Sequence, residues 1–311
     1  YLTNILSNDL DNNLDFIKEY DNVFKCAINT YKFNNKEINR VEYVSKYIDN
    51  IIKNGEMDQL EDIAKIINYI NDKDYFEIYY IKFLSRRLIN RKNINEKEIY
   101  LFNILKKIYG VSFSNKVQNM FNDLNIYENL MNEYNNKKMD VLVVTKNIWP
   151  IKCENTIVIP SCLSYAMEDF NDYYLKKFRG RKLELHNNYT YGELVCNCFS
   201  KKYIFLATIT QINILSSFNI TSVVSKNNFK DYELDDIALL IKVGLIIDND
   251  KNYKLNTKFK NKKIKINLRG LVKKNVVIKE KKNEDNLINI NRSHIIQAAI
   301  VRIMKSRNVL N

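Results

Sequence analysis

MDVLVVTKNIWP, residues 139–150, is where the chain changes from one kind of structure to another. Val141, Leu142, Val143 and Val144 form an unbroken apolar run, three of them β-branched, and such side chains suit a pleated surface. Pro150 closes the run after Trp149, because proline cannot donate to a ladder. A strand is therefore predicted over 139–145.

Upstream of it the apolar period is helical. Leu60, Ile63, Ile67 and Ile70 make one stripe, and Phe76, Tyr80, Phe83 and Leu88 make a second. Asp74 with Glu77 resembles a capping box for that second helix. A third helix runs from about Glu96 to Ile108 and stops at Gly110. A fourth turns Val117, Met120, Phe121 and Leu124 inward and reaches Asn135 and Asn136. Antiparallel amphipathic helices with short connections make a bundle, over residues 1–136.

Downstream, 137–207 reads as a small α/β unit. A helix over 161–178 ends at Gly180, and RKLELH, ELVCNCF and YIFLAT read as strands, the last two joined by Ser200, Lys201 and Lys202. Residues 208–270 read as a winged helix: a helix, a short helix, DYELDDIALLIKVGLI, then short strands near Leu245–Ile247, Tyr253–Leu255 and Ile264–Leu268. Residues 271–290 read as a charged linker, and 291–311 as a final helix with Ile296, Ile300, Ile303 and Met304 on one stripe. The expected fold class is mainly α with α+β parts: helical bundle, small α/β sheet, winged helix and C-terminal helix.

Composition narrows the function. The chain has 311 residues, enough for roughly two domains of about 150. Forty-nine Lys and Arg against 36 Asp and Glu leave +13, which points to an anionic partner or equally to the Lys, Asn and Ile bias of an AT-rich genome. Hydrophobic content of 46% with 21 Tyr and 15 Phe argues against disorder. No uncharged apolar stretch of about 18 residues occurs, so no membrane partner is expected. The opening YLTNILSNDLDNN lacks the regions of a signal peptide, and its start on Tyr1 reads as a segment of a longer polypeptide. The odd count of 5 Cys, with Cys196 and Cys198 two apart, reads as reduced, hence cytoplasm or nucleus.

Nothing in the chain reads as catalytic. Phosphate-loop, dinucleotide, nucleophile-elbow and zinc-protease motifs are absent, and His186 and His294 are too few to complete a metal site. No cofactor or metal is expected, and Cys196 reads as packing. The winged helix raises a nucleic-acid alternative, which Glu233, Asp235 and Asp236 on its recognition helix oppose by repelling phosphates. Basic residues gather at Lys176, Lys177, Arg179, Arg181 and Lys182, at Lys201 and Lys202, and at Lys258, Lys260, Lys262 and Lys263. Together they could line one basic groove for nucleic acid or an acidic tail.

A family resemblance gathers these features. DYFEIYYIKFLSRRL (74–88) resembles the bundle segment of cullins. The likeness continues in order through GVSFSNKVQNMFNDL, VLVVTKNIWP, GRKLEL, GELVCNCFSKKYIFLATITQ, FKNKKIKIN and IIQAAIVRIMKSR, ending at Arg307. The wording of GELVCNCF and IIQAAIVRIMK is most like the cullins of SCF-type ubiquitin ligases; residues 1–73 match loosely.

The resemblance implies a non-catalytic scaffold of a cullin-RING ubiquitin ligase. In cullins an N-terminal arm holds a substrate adaptor, and the C-terminal half holds a RING-box protein that adds a strand to the α/β sheet. The RING then recruits a ubiquitin-conjugating enzyme. Carried onto this chain, the RING-box interface falls on Val141, Leu142, Val143, Val144 and Trp149. Lys305, ending the IVRIMK block, becomes the acceptor of a ubiquitin-like modifier in neddylation, projecting from a helix that its apolar stripe docks. Lys260, Lys262 and Lys263 become a basic groove for the acidic tail of the ubiquitin-conjugating enzyme. Asn291 before Arg292 departs from the family's usual AspArg. The adaptor-binding repeats and a second winged helix lie outside the sequence, so substrates are not legible.

Overall fold

The structure, a computed structural model, describes residues 14–30, 40–54, 58–135, 139–151, 159–186, 189–269, 292–294 and 296–305. The chain divides into two compact units, residues 1–151 and 152–311.

The first unit is helical: α1 (Leu14–Thr30), α2 (Arg40–Asn54), α3 (Asp58–Asn68), α4 (Lys73–Arg91) and α5 (Glu96–Tyr134). The predicted stripe of α3 is buried at Leu60, Ile63 and Ile67, and Ile70 follows it into the same core. On α4 the stripe is wider than predicted. Tyr79, Ile81 and Leu84 are buried beside Phe76, Tyr80 and Leu88, whereas Phe83 is only half-buried. The cause is packing on more than one side, since α4 lies against both α2 and α5.

Asp74 and Glu77 do not form a capping box. Helix α4 begins two residues earlier than that pairing requires, with Asp72 at the cap position. Asp74 accepts from the Tyr75 amide at 3.0 Å, and Glu77 pairs with Lys116 of α5 at 2.7 Å. Gly110 does break α5, as its sequence position predicts. Its φ of 75° and ψ of −162° leave helical space, and a side chain there would be strained. The second half of α5 buries Val117, Met120, Phe121 and Leu124.

One buried polar cluster ties three helices. Arg87 on α4 is 3% exposed and clamps Glu98 of α5 through two hydrogen bonds, Nε to Oε1 at 2.5 Å and NH2 to Oε2 at 3.0 Å. Its NH1 donates to Asp49 of α2 at 2.7 Å, and Asp49 also takes Lys53 at 2.5 Å. Although burial alone would favour the neutral guanidine, the facing Glu98 and Asp49 carboxylates hold Arg87 firmly protonated.

The second unit contains α6 (Ser161–Lys177), β1 (Tyr191–Cys196), β2 (Tyr203–Thr208), α7 (Ile209–Ser216), β3 (Val223–Ser225), α8 (Leu234–Val243), β4 (Ile246–Asn249), β5 (Asn252–Leu255) and β6 (Lys265–Asn267). Strands β1 and β2 form the predicted antiparallel hairpin, with Cys196 opposite Tyr203. Three features differ from expectation. RKLELH forms no strand and joins no ladder among the described residues. Strand β6, expected in the wing, pairs in parallel with β2, Ile204 opposite Lys265, and leaves the wing as the sheet β3–β5–β4. Short 3-10 turns at Lys226–Asn228 and Asp231–Glu233 stand before α8 in place of the expected short helix.

A single apolar core joins the hairpin, α7, α8 and the wing through Phe205, Ala207, Ile214, Ile237, Leu240, Tyr253 and Leu268. Thr208 and Gln211 cap α7 reciprocally, and the fully buried Gln211 donates onward to Asp236 of α8 at 2.9 Å. Burial raises the Asp236 carboxyl above its ordinary value despite that bond.

The Arg87 cluster makes a direct stability prediction. Arg87→Ala should cost about 3–5 kcal/mol, because it leaves the buried Glu98 carboxylate without its cation and Asp49 with Lys53 alone. Urea unfolding of the whole chain, followed by helical circular dichroism, measures it; a loss under about 1 kcal/mol contradicts the assignment.

Candidate partner interface and modification site

The segment predicted as the first strand, 139–145, forms no regular element and pairs with no strand among the described residues. A β-branched run suggests a ladder member, yet it reports only a half-buried pleated setting, and here the helical unit supplies it. Leu142 and Val144 pack against the helical core, while Val141 and Val143, also half-buried, alternate with them. Trp149, 3% exposed, belongs to that core, so its contribution to an interface is to anchor the segment.

Two carboxylates hold the segment at its ends. Asp123, on the second half of α5, accepts the Thr145 amide at 2.8 Å, the Thr145 hydroxyl at 2.9 Å and the Trp149 indole N–H at 2.8 Å. At the other end Asp140 pairs with Lys92 and accepts from the Tyr127 hydroxyl at 2.7 Å. Lys92 also lies 5.4 Å from the centre of the Tyr127 ring. Asn147 takes a φ of 68°, a turn that asparagine tolerates, and aims Ile148 and Trp149 back toward the helices. Sequence reasoning does not single out Asp123; its one signal is a lone carboxylate between Phe121 and Leu124 on an inward-facing helix.

The lysines of the expected groove are displayed by a built turn. Phe259, 6% exposed, packs on Phe199, Tyr203 and Phe205. The Tyr203 hydroxyl accepts the Asn261 amide at 2.9 Å and donates to the Asn261 carbonyl at 3.2 Å. Asn261 in turn accepts the Lys263 amide at 3.0 Å. With the apolar residue inside, Lys258, Lys260, Lys262 and Lys263 are exposed. Because β2 and β6 run parallel, Lys201 and Lys202 before β2 emerge at the same sheet end as Lys262 and Lys263 before β6. The cluster at 176–182 is used locally: Arg181 sits 4.6 Å from the centre of the Phe178 ring and donates to the Tyr174 hydroxyl at 3.1 Å.

The carboxylates expected to repel nucleic acid are mostly turned inward. Glu233 is buried and accepts the Lys230 amide at 2.9 Å, and Asp236 serves Gln211, leaving Asp235 exposed. The terminal helical residues 296–305 differ from expectation too. Ile296, Ile300, Ile303 and Met304 are all exposed, so the stripe does not dock among the described residues. Lys305, the last described residue of this helical run, is exposed.

Among the described residues no group of three or more His, Cys, Asp or Glu could hold a metal ion, and no helix is long and apolar enough to cross a membrane. A cavity of about 320 Å³ is lined by Leu194, Cys196, Cys198, Phe199, Phe205 and Leu215 among others. Burial, and then the neighbouring Cys198, push the Cys196 thiol up to about 11, the reverse of what a nucleophile needs.

Comparison with known proteins gives two family models, the cullin alpha solenoid domain over residues 1–131 and the cullin alpha+beta domain over residues 143–243. Among curated relatives, Cullin-1 of Schizosaccharomyces pombe is 28% identical over 343 residues, covering 95% of this chain and 43% of that protein. Cullin-1 of Caenorhabditis elegans is 26% identical, covering 86% and 39%, and Cullin-3 of Dictyostelium discoideum is 27% identical, covering 99% and 48%. The chain spans about half the length of the curated relatives it matches.

The raised Cys196 thiol predicts an order of labelling. At pH 8 iodoacetamide should modify exposed Cys198 well before Cys196, as read by peptide mass spectrometry. Because the folded value lies above the ordinary 9.0, the stability that Cys196 contributes is intact below pH 9 and is lost as pH rises toward 11. Equal labelling of the two thiols at pH 8 contradicts the burial argument.

Proposed function

The chain belongs to the cullin family, and on that premise we propose that it is the scaffold portion of a cullin-RING ubiquitin ligase of the SCF, cullin-1, type. It holds a RING-box protein by strand addition, accepts a ubiquitin-like modifier on Lys305, and contributes no catalytic group of its own. A substrate adaptor is held by the N-terminal arm of the full-length scaffold. The organisation proposed for it is a bundle over 1–136, an α/β part over 137–207, a winged helix over 208–270, a linker over 271–290 and the acceptor helix over 291–311, working in cytoplasm and nucleus.

The observation that carries this reading is the segment 141–144. It is half-buried and joins no ladder among the described residues, and half-buried backbone groups outside a ladder are costly wherever they stay unpaired. A strand donated by another protein supplies the missing hydrogen bonds and covers Val141 and Val143 together. Lys305 has support of a different kind, an exposed amine on a helix whose apolar residues are also open to an enzyme surface. Lys260, Lys262 and Lys263, joined by Lys201 and Lys202 at one sheet end, suit an acidic tail. The nucleic-acid alternative has less behind it, because the exposed face of α8 presents Asp235 and no basic row.

Co-expression with a RING-box protein is the decisive test. The pair should co-purify, and a chain that stays a stable monomer in its presence refutes strand addition. In a reconstituted neddylation reaction Lys305→Arg should abolish the modified band; equal modification of both chains moves the acceptor elsewhere. Replacing Lys260, Lys262 and Lys263 together by Ala should slow association with an acidic-tailed ubiquitin-conjugating enzyme at low salt. That gap should close at high salt, where the Debye length falls below about 8 Å.

A further inference from the structure

The two carboxylates that bracket 141–144 come from different places and grip opposite ends. Asp123 takes three donors from Thr145 and Trp149, all within 2.9 Å. Asp140 is fixed by Lys92, which follows α4, and by Tyr127 of α5. Between them the Val141 amide donates to the Met131 sulfur at 3.4 Å, and Leu142 and Val144 are seated on the helical core. A segment outside any ladder among the described residues would ordinarily be free to coil, and each residue ordered at encounter weakens binding. Here the ordering is done within the chain, by side-chain contacts that place the segment in no ladder among the described residues.

The geometry points to Asp123 and Asp140 as positioning residues that hold 141–144 straight and in one register, so that an added strand meets a preformed edge. This rests on the RING-box reading above and extends it, since the role assigned to each carboxylate is to hold the segment through contacts within the chain. Asp123 is the stronger of the two clamps, being 8% exposed and satisfying the indole N–H of a fully packed Trp149. If releasing a clamp leaves the segment competent a tenth of the time, the apparent affinity for the added strand falls about tenfold even though the bound interface is intact. The loss should lie mainly in the association rate, because the complex, once formed, is the same.

Trp149 is the single tryptophan of the chain, so its fluorescence reads the clamp directly. Three variants separate positioning from general stability: Asp123→Asn, which turns an amide toward donors; Thr145→Val, which removes one hydroxyl; and Thr145→Ser, which restores it. Asp140→Asn tests the other end. Expected for Asp123→Asn and Thr145→Val are at least about twofold greater acrylamide quenching of Trp149, an unchanged helical melting temperature, and about tenfold weaker binding of the RING-box protein. Thr145→Ser should behave as wild type. Asp140→Asn should weaken binding similarly while leaving Trp149 shielded. Variants that release Trp149 yet bind as tightly as wild type overturn the proposal, as do variants in which Trp149 stays shielded at Asp123→Asn. A wild-type chain that does not bind the RING-box protein instead sinks the strand-addition reading, and the quenching result then still decides whether Asp123 holds the segment.

Discussion

The helical unit depends on a guanidinium that cannot reach water. Arg87 enters the core on α4, and the carboxylates that balance it are contributed by α2 and α5, one each. Separately, each of these charges would be expensive to bury; together they are tolerable only when the three helices stand in their native places. Apolar packing alone is more forgiving, because Leu, Ile and Phe side chains accept many neighbours of similar volume. The cluster therefore selects one arrangement from several that the hydrophobic stripes would permit.

Where the segment 139–151 lies follows from that arrangement. Glu98 fixes the first half of α5 against α4, and the break at Gly110 redirects the second half, which carries Phe121, Asp123 and Leu124. Asp123 then faces a segment that sequence reasoning would place in a sheet. Three donors on one carboxylate, two from Thr145 and one from Trp149, convert a stretch of strand-like sequence into a ledge on a helical surface. What binds the edge of that ledge is a question of unsatisfied backbone groups more than of side chains.

The second unit is arranged around β2. Its inward residues Tyr203, Phe205 and Ala207 are all buried, its edges take β1 on one side and β6 on the other, and its end becomes the cap of α7. The parallel β6 brings the lysine-rich turn 256–263 beside Lys201 and Lys202, so two clusters far apart in sequence share one end of a sheet. Phe259 and the Tyr203 hydroxyl make the turn rigid, and the lysines are exposed because the apolar residue between them is inside. The carboxylates at the start of α8 show the converse. Glu233 and Asp236 look like surface charge in the sequence but work as internal hydrogen-bond acceptors.

Local order is legible without coordinates. The stripes of α3 and of the second half of α5, the break at Gly110, the helix ending near Gly180 and the β1–β2 hairpin all follow from periodicity and turn residues, which act over a few residues. So does the order of blocks that marks the family. Partners distant in sequence are not legible: Arg87 with Asp49, Asp123 with Trp149, β6 with β2 in place of the wing, and Glu77 with Lys116 in place of a helix cap. The exposed stripe at 296–304 belongs with these, since amphipathic spacing says that a face is apolar and not what covers it. Sequence by itself determined which segments are helical or extended and which family they spell. Only the tertiary structure decided which charges neutralise one another and which strand-like segments join no ladder among the described residues, because those outcomes turn on distances between residues that the chain order does not set.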